Sequence, residues 1–237
     1  MATINMSEPV KELYQELHDI ANKRKERDNL GVMPTTFAGK PERFVKGLPM
    51  FIGRDTLGLG MDRIIAHTTY NWEELGNPEK TWLRKNGGYY FGTSPFWRTI
   101  GRALAKFRSE AYNVEIFHDL LWSDLYKVNF RTKLGTTPGL RAAQLKTCAN
   151  LLLAEMDDLR PSTVIFLTGT YESGKGVDPF LSLWKAAGKL ASHSPAVGEF
   201  ELTGTNGNTH RCLVVPHPAR KKQAPIIQRI VDFMQKS

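Results

Sequence analysis

The sequence predicts an α/β fold: three layers, α/β/α, with a mostly parallel central sheet and an N-terminal helical extension. Three observations predict it. Strand-type and helix-type segments alternate along most of the 237 residues, the pattern of βαβ units with helices on both faces of a sheet. The strand-type segments are short apolar runs, as in Met50-Phe51-Ile52 and Val164-Ile165-Phe166-Leu167, which reads as burial on both sides. An apolar fraction of 41%, with 12 Phe and 5 Trp, is ample for a core. No internal repeat and no Pro- or Ser-rich linker divides the chain. Residues 45–237 therefore read as one domain and residues 1–44 as the extension.

The elements follow in order. From Glu8 to Arg27, Val10, Leu13, Leu17 and Ile20 form one apolar stripe opposite a charged face, a packing helix. Asn29 to Gly47, with Gly31, Pro34, Gly39 and Pro41, is expected to be irregular. The run Met50-Phe51-Ile52 is a buried strand, and Gly53-Arg54-Asp55 carries the chain onto the loop at its carboxyl end. Met61 to Thr93 is too polar and broken for one element, and long loops in compact domains tend to be functional. Ser94-Pro95 has the form of a helix start, with serine as cap and proline in the first turn. Phe96, Trp97, Ile100, Leu104 and Phe107 form that helix's apolar face. Leu120-Leu121-Trp122 is a strand running out into a polar loop at Ser123-Asp124. Pro138 to Leu159 is a helix stopped by Pro161. Asp178 to Lys189 is another helix. Glu199–Thr203 and His210–Val215 are strands joined by the turn Gly204-Thr205-Asn206-Gly207-Asn208. Pro225 to Gln235 is the closing helix.

Composition narrows the function. No apolar run approaches the roughly 20 residues that span a bilayer, and the charged, helix-period N-terminus is unlike a signal peptide. The expectation is a cytoplasmic protein with no membrane association. Cys148 and Cys212 are the two cysteines; two thiols do not build a four-thiolate cluster, and reduced buried thiols fit the cytoplasm. The six histidines are scattered, so no metal and no other cofactor is expected. A net charge of +8 and a pI near 9.5 suit a polyanion partner, although a soluble basic protein has the same composition. The local clusters are Lys23-Arg24-Lys25, Arg84-Lys85 and Arg220-Lys221-Lys222.

Polar residues stand at three strand ends: Asp55, Asp124 and His217, the last within Val215-Pro216-His217-Pro218-Ala219-Arg220. In a parallel sheet such ends meet at one edge, the place where open α/β sheets bind ligands. A carboxylate and a histidine there suit acid–base or charge-stabilising chemistry. Asp55 and Asp124 also fit a helix cap or turn, and His217 a partly buried turn histidine. Gly53, Gly58 and Gly60 do not form a dinucleotide fingerprint, and no phosphate loop or nucleophile elbow occurs.

In this order and strand context, the pieces resemble the uracil-DNA glycosylase superfamily over about residues 45 to 235. Gly53-Arg54-Asp55-Thr56-Leu57-Gly58 stands where the uracil-specific branch has G-Q-D-P-Y-H. Leu121-Trp122-Ser123-Asp124 stands where the family has an apolar strand ending in a base-reading Asn. His217-Pro218-Ala219-Arg220 stands for H-P-S-P-L-S. Ser94-Pro95-Phe96-Trp97 is similar to the N-R-F-W helix start of the mismatch-specific branch. The strand Val164–Gly169 is similar to the family's strand ending in glycine.

The resemblance implies an enzyme that flips a nucleotide out of double-stranded DNA and hydrolyses its N-glycosidic bond. It assigns Asp55 and His217 to catalysis and Asp124 to reading the base edge. Tyr90 or Phe91 would stack on the base, core packing being the other reading of both. Arg54, Arg220, Lys221 and Lys222 would contact DNA, with Arg220 as wedge, where the family uses Leu. Two departures shape specificity. Leu57 and Gly58 replace the tyrosine and histidine that close the family's pocket against a C5 substituent. Asp124 replaces Asn, and a carboxylate only accepts unless protonated, which suits a cytosine amine. Plain cytosine is excluded because its removal from the cell's own DNA would be lethal. The expected substrate is a 5-modified cytosine, hydroxymethylated or glucosylated as in some phage genomes, and the expected role is antiviral defence by a monomer. The alternatives are a uracil or mismatch repair glycosylase and, in another class, a non-catalytic DNA-binding module on the same fold.

Overall fold

The computed structural model describes residues 5–33, 35–37, 44–55, 84–85, 88–89, 94–130, 136–169, 177–194 and 198–236. It is a mixed α/β fold whose central sheet is parallel in its middle and antiparallel at both margins. The strands are β1 (Leu30–Val32), β2 (Thr36–Phe37), β3 (Met50–Asp55), β4 (Arg84–Lys85), β5 (Gly88–Tyr89), β6 (Leu121–Tyr126), β7 (Val128–Phe130), β8 (Val164–Phe166), β9 (Leu190–Ser194), β10 (Glu199–Thr203) and β11 (Thr209–Val214). The helices are α1 (Glu8–Asn22), α2 (Pro95–Arg108), α3 (Pro138–Leu159), α4 (Asp178–Ala186) and α5 (Gln223–Gln235).

Among the described residues the main sheet has seven strands in the order β2-β6-β3-β8-β11-β10-β9. Strands β6, β3, β8 and β11 run parallel, while β2, β10 and β9 are antiparallel to their neighbours. Side chains alternate between the faces, so each central strand feeds two cores. Met50, Ile52, Leu121, Val164 and Phe166 join α1, α3 and α4 on one face. Phe51, Trp122, Ile165 and Leu213 join α2 and α5 on the other. That double burial is why these strands read as unbroken apolar runs.

The handedness of crossovers sets the layering. From β3 the chain passes through α2 to β6, moving toward the β2 margin. It then returns through α3 to β8, on the far side of β3. Opposite directions of travel require opposite faces, and α2 and α3 lie on opposite faces. Among the described residues no helix is long and apolar enough to cross a membrane.

Several boundaries differ from the sequence reading. Residues 29–47 are not wholly irregular: β1 pairs with β7, and β2 extends the main sheet beside β6. Strand β9 was not anticipated; its residues are half-buried or exposed, as befits a marginal strand without an apolar pattern. Asp55 is the last residue of β3 rather than the first of a loop. Asp124 lies within β6. Phe107 is 38% exposed rather than core. Most of Met61–Thr93 lies outside the described residues.

Candidate active site

Strand β3 is flanked by β6 and β8, and the helix that follows it, α2, lies on the face opposite to α3 and α4, which follow them. Divergent connections open a crevice outside the carboxyl ends of such strands. Asp55 closes β3 at that edge, in register with Tyr126 of β6, and two residues earlier Gly53 is in register with Asp124. For Asp55 the described placement is that of its backbone. Leu57, Gly58, Tyr90 and Phe91 lie outside the described residues. Arg54 is half-buried on β3.

Asp124 is only 2% exposed. Its carboxylate lies against Gly53: a Cβ built there would collide with Asp124 Oδ1, with Asp124 Cγ and Phe96 Cε2 each at 3.5 Å. The glycine thus provides the space the carboxylate occupies. Phe96 reaches this point because α2 starts at Ser94-Pro95. The Ser94 hydroxyl accepts from Trp97 N at 3.5 Å, the long end of a capping bond. Behind Phe96 stand Trp97 (ring centroids 5.2 Å apart), Trp122 (5.0 Å from Trp97) and Phe117 (5.9 Å from Trp97), each pair edge to face. An aromatic wall therefore backs one side of the buried carboxylate.

His217 follows β11, which β8 separates from β3. Two strand spacings put β11 about 10 Å from β3. The chain stays zipped to β8 beyond the strand, with Val215 N donating to Phe166 O at 2.9 Å and Gly169 N to Val215 O at 3.3 Å. Pro218 restricts the preceding His217 to extended backbone. The ring's Nδ1 accepts from Ala219 N at 3.2 Å, so a neutral His217 carries its proton on Nε2. Arg220 has φ +59°, a left-handed conformation that costs a non-glycine residue about 1–2 kcal/mol. Ser109 and Arg160 share it as helix C-caps, whereas Arg220 adopts it within a loop. Arg220, Lys221 and Lys222 are exposed.

Asp55 thus ends β3, Asp124 lies two residues inside the edge on β6, and His217 follows β11, all strands of one parallel set. The structure also shows a residue the sequence reading passed over. Asn129 is buried, and its Nδ2 donates to Tyr126 O at 2.9 Å, the carbonyl of the residue in register with Asp55. Its Oδ1 is buried with no hydrogen-bond partner among the described residues. The available signal was an asparagine within Val128-Asn129-Phe130, just beyond an apolar strand.

On the opposite face, directly behind β6, lies a fully buried ion pair: Lys127 Nζ is 3.0 Å from Glu155 Oε2. Lys127 also donates to Thr35 Oγ1 (2.7 Å) and Ser123 Oγ, and Glu155 accepts from Tyr14 and from Thr35 Oγ1 (2.6 Å). This cluster joins α1, β6 and α3 and turns away from the crevice. The two cysteines offer no nucleophile. Burial pushes the Cys148 thiol up to about 12 and raises Cys212 well above its usual value, which keeps both protonated and inert. Among the described residues no group of His, Cys, Asp or Glu is arranged to hold a metal ion.

No family model matches the chain, and no curated protein matches it significantly. A functional reading therefore rests on the residues at the carboxyl edge of the parallel strands and on the order of the motifs.

Proposed function

We propose that the protein is a DNA glycosylase related to the uracil-DNA glycosylase superfamily. It acts as a cytoplasmic monomer on double-stranded DNA, releases a 5-modified cytosine such as the hydroxymethylated or glucosylated base, and serves antiviral defence. The observation that carries the reading is the buried Asp124 carboxylate against Gly53, one strand from Asp55. An acceptor-only carboxylate matches the exocyclic amine of cytosine, and in its protonated form it also donates to the ring nitrogen.

The chemistry follows from charge. The target nucleotide leaves the stack and enters the crevice. The bond from C1′ to the base breaks, the base departing with the electron pair. Positive charge develops on the sugar and negative charge on the base. Asp55 stabilises the sugar cation, orients a water whose oxygen bonds to C1′, and takes one proton of that water. His217, neutral with its proton on Nε2, donates toward the departing base, which solvent then protonates. Removing one preorganised charge contact of this kind typically lowers the rate by about 10²-fold or more. Asp55→Asn is therefore expected to cripple base release in single-turnover assays while DNA affinity, read by anisotropy, is retained. Undiminished release by Asp55→Asn would refute the assignment.

Asn129 favours a second reading. A carboxamide donates and accepts, matching a uracil edge, and its buried Oδ1 stands near the same strand end. Duplexes carrying uracil, a thymine mismatch or modified cytosine, assayed side by side for alkali-labile abasic sites, separate the possibilities. Release of modified cytosine that is lost in Asp124→Ala supports the first reading. Release of uracil alone, lost in Asn129→Ala, replaces it with the second. Tight DNA binding without strand breaks on any substrate identifies a non-catalytic module.

A further inference from the structure

Helix α2 leads from the crevice along one edge of the molecule, and its outer side is a row of cations. Arg98, Arg102 and Lys106 are spaced four residues apart, so they lie on one face. Arg102 and Lys106 are exposed and Arg98 half-exposed. The helix contains no acidic residue, and Arg108 pairs with Asp119 at 3.2 Å. Arg98 Nε donates to the neutral Gln223 Oε1 at 3.1 Å, and Lys106 donates to the Gln228 carboxamide. These contacts lay α5 alongside and bring its leading turn, with exposed Lys221 and Lys222, next to Arg98. Among the described residues, Glu110 lies just past the helix, and Asp232 accepts from Gln228 Nε2 at 2.6 Å.

An aromatic ring is built into the same row. Gly101 sits in the middle of α2, where glycine costs about 1 kcal/mol relative to alanine. A Cβ there would collide with the Tyr112 ring and lie 2.5 Å from Phe117 Cζ. The glycine makes a slot in which Tyr112 lies across the helix, edge-on to Phe117 at 6.4 Å. Tyr112 remains 41% exposed. Burial raises its phenol pKa, while the charges of Arg102 and Arg98 act to lower it.

We propose that Arg98, Arg102, Lys106 and Tyr112 form a track for the phosphate backbone of duplex DNA flanking the crevice. The spacing fits. Successive cations are about 6 Å apart along the helix, close to two nucleotides of rise at about 3.4 Å per strand step. A rigid, exposed aromatic beside the row suits a sugar or an unpaired base next to the track. The inference rests on the reading of the chain as a DNA-acting protein, but not on base release.

The test is the salt dependence of duplex binding, by anisotropy with an unmodified 30-mer, for the full chain. Each phosphate contact contributes about 0.9 to the slope of log affinity against log salt. Arg98→Gln/Arg102→Gln/Lys106→Gln is expected to reduce the slope by about 2–3. The charge-preserving Arg98→Lys/Arg102→Lys is expected to keep it. Lys23→Gln/Lys25→Gln, on the opposite face, removes charge elsewhere and is expected to leave it unchanged. Thermal melts confirm that each variant is folded. An unchanged slope in the triple variant, or an equal fall in the opposite-face variant, overturns the track. So does binding to phosphatidylserine vesicles in place of the duplex. A wild-type protein that shows the slope but releases no base keeps the track and removes the glycosylase. One that releases base with an unaltered slope in the triple variant does the reverse.

Discussion

A methyl group on Gly53 has no room, because Asp124 Oδ1 already occupies the space it would need and Phe96 Cε2 is 3.5 Å away. The carboxylate is buried between β3, β6 and α2 and has few positions to retreat to. Overpacking of this kind typically costs about 1–3 kcal/mol. Gly53→Ala is therefore expected to lower the unfolding free energy by that amount and, on the proposed glycosylase reading, to reduce base release more than ten-fold through displacement of Asp124. Wild-type activity in a folded Gly53→Ala protein would separate Asp124 from function. At this scale the sequence showed a good deal. Asp55, Asp124 and His217 are legible as polar residues following apolar runs; in the structure Asp55 ends β3, Asp124 lies within β6 and His217 follows β11. What was not legible is that Ser123-Asp124 continues the strand. The two polar side chains face opposite ways, and Ser123 is held by Thr35, far along the chain, whose hydroxyl is 2.7 Å away, and by Lys127, four residues on. The role of Asn129 was not legible either, although the carbonyl it caps, that of Tyr126, is only three residues away: the sequence does not show that Tyr126 stands in register with Asp55.

At the scale of elements, two buried polar clusters fix how the layers dock. The first joins α1, β6 and α3 through Lys127 and Glu155, both fully buried. Breaking a buried pair strands the remaining charge, at about 3–5 kcal/mol, whereas an apolar pair of similar size is often neutral. Lys127→Met is expected to destabilise by that amount, and Lys127→Met/Glu155→Leu to recover much of it, in urea unfolding of the single and double variants. Strict additivity of the two substitutions would argue that the charges do not interact. The second cluster holds the β10–β11 turn to the end of α3. Asp157 accepts from Thr205 Oγ1 (2.6 Å), Asn206 N (3.0 Å) and the His210 ring (Nε2 at 3.0 Å). Burial alone would raise its carboxyl pKa, but the hydrogen bonds from Thr205, His210 and Asn206 prevail and hold it below its usual value. A depressed folded pKa contributes stability that is fully present above the unfolded value, about 3.9, and is lost as pH falls through the folded one. The stability difference between wild type and Asp157→Asn should thus be constant near neutrality and shrink below about pH 4. A difference that grows on acidification would reverse the sign of this coupling. The turn itself was readable from Gly204-Thr205-Asn206-Gly207-Asn208; its anchor in a helix end some fifty residues earlier was not.

For the whole molecule, alternation of apolar runs and helices was enough to indicate layers and a parallel centre, because strands buried on both faces must read that way. Strand order was not available from it. The antiparallel margins are short or half-exposed and lack an apolar signature, so β2 and β9 left no trace in the pattern. The N-terminal segment read as a packing helix, an extension ahead of the main domain. In the fold, α1 covers α3: Val10, Tyr14, Leu17 and Ala21 are buried in the main core, and Tyr14 hydrogen bonds Glu155. The Tyr14 hydroxyl also accepts from Thr35 N at 2.8 Å, so the helix closes the polar cluster as well as the apolar one. Burying a large side chain contributes about 1.5–3 kcal/mol, so Val10, Tyr14 and Leu17 together contribute about 5–9 kcal/mol. Domains of this size are stable by only about 5–15 kcal/mol. Removal of residues 1–22 also bares the Lys127–Glu155 pair to water on one side. Loss of α1 is therefore expected to remove most of the stability of the remainder. A chain beginning at Lys23 should show a broad, weakly cooperative thermal transition by circular dichroism and poorly dispersed amide resonances. A sharp transition within a few degrees of the intact protein would show instead that the sheet and its other helices fold without α1. Its hydrophobic stripe would then be docked on a finished core rather than part of it.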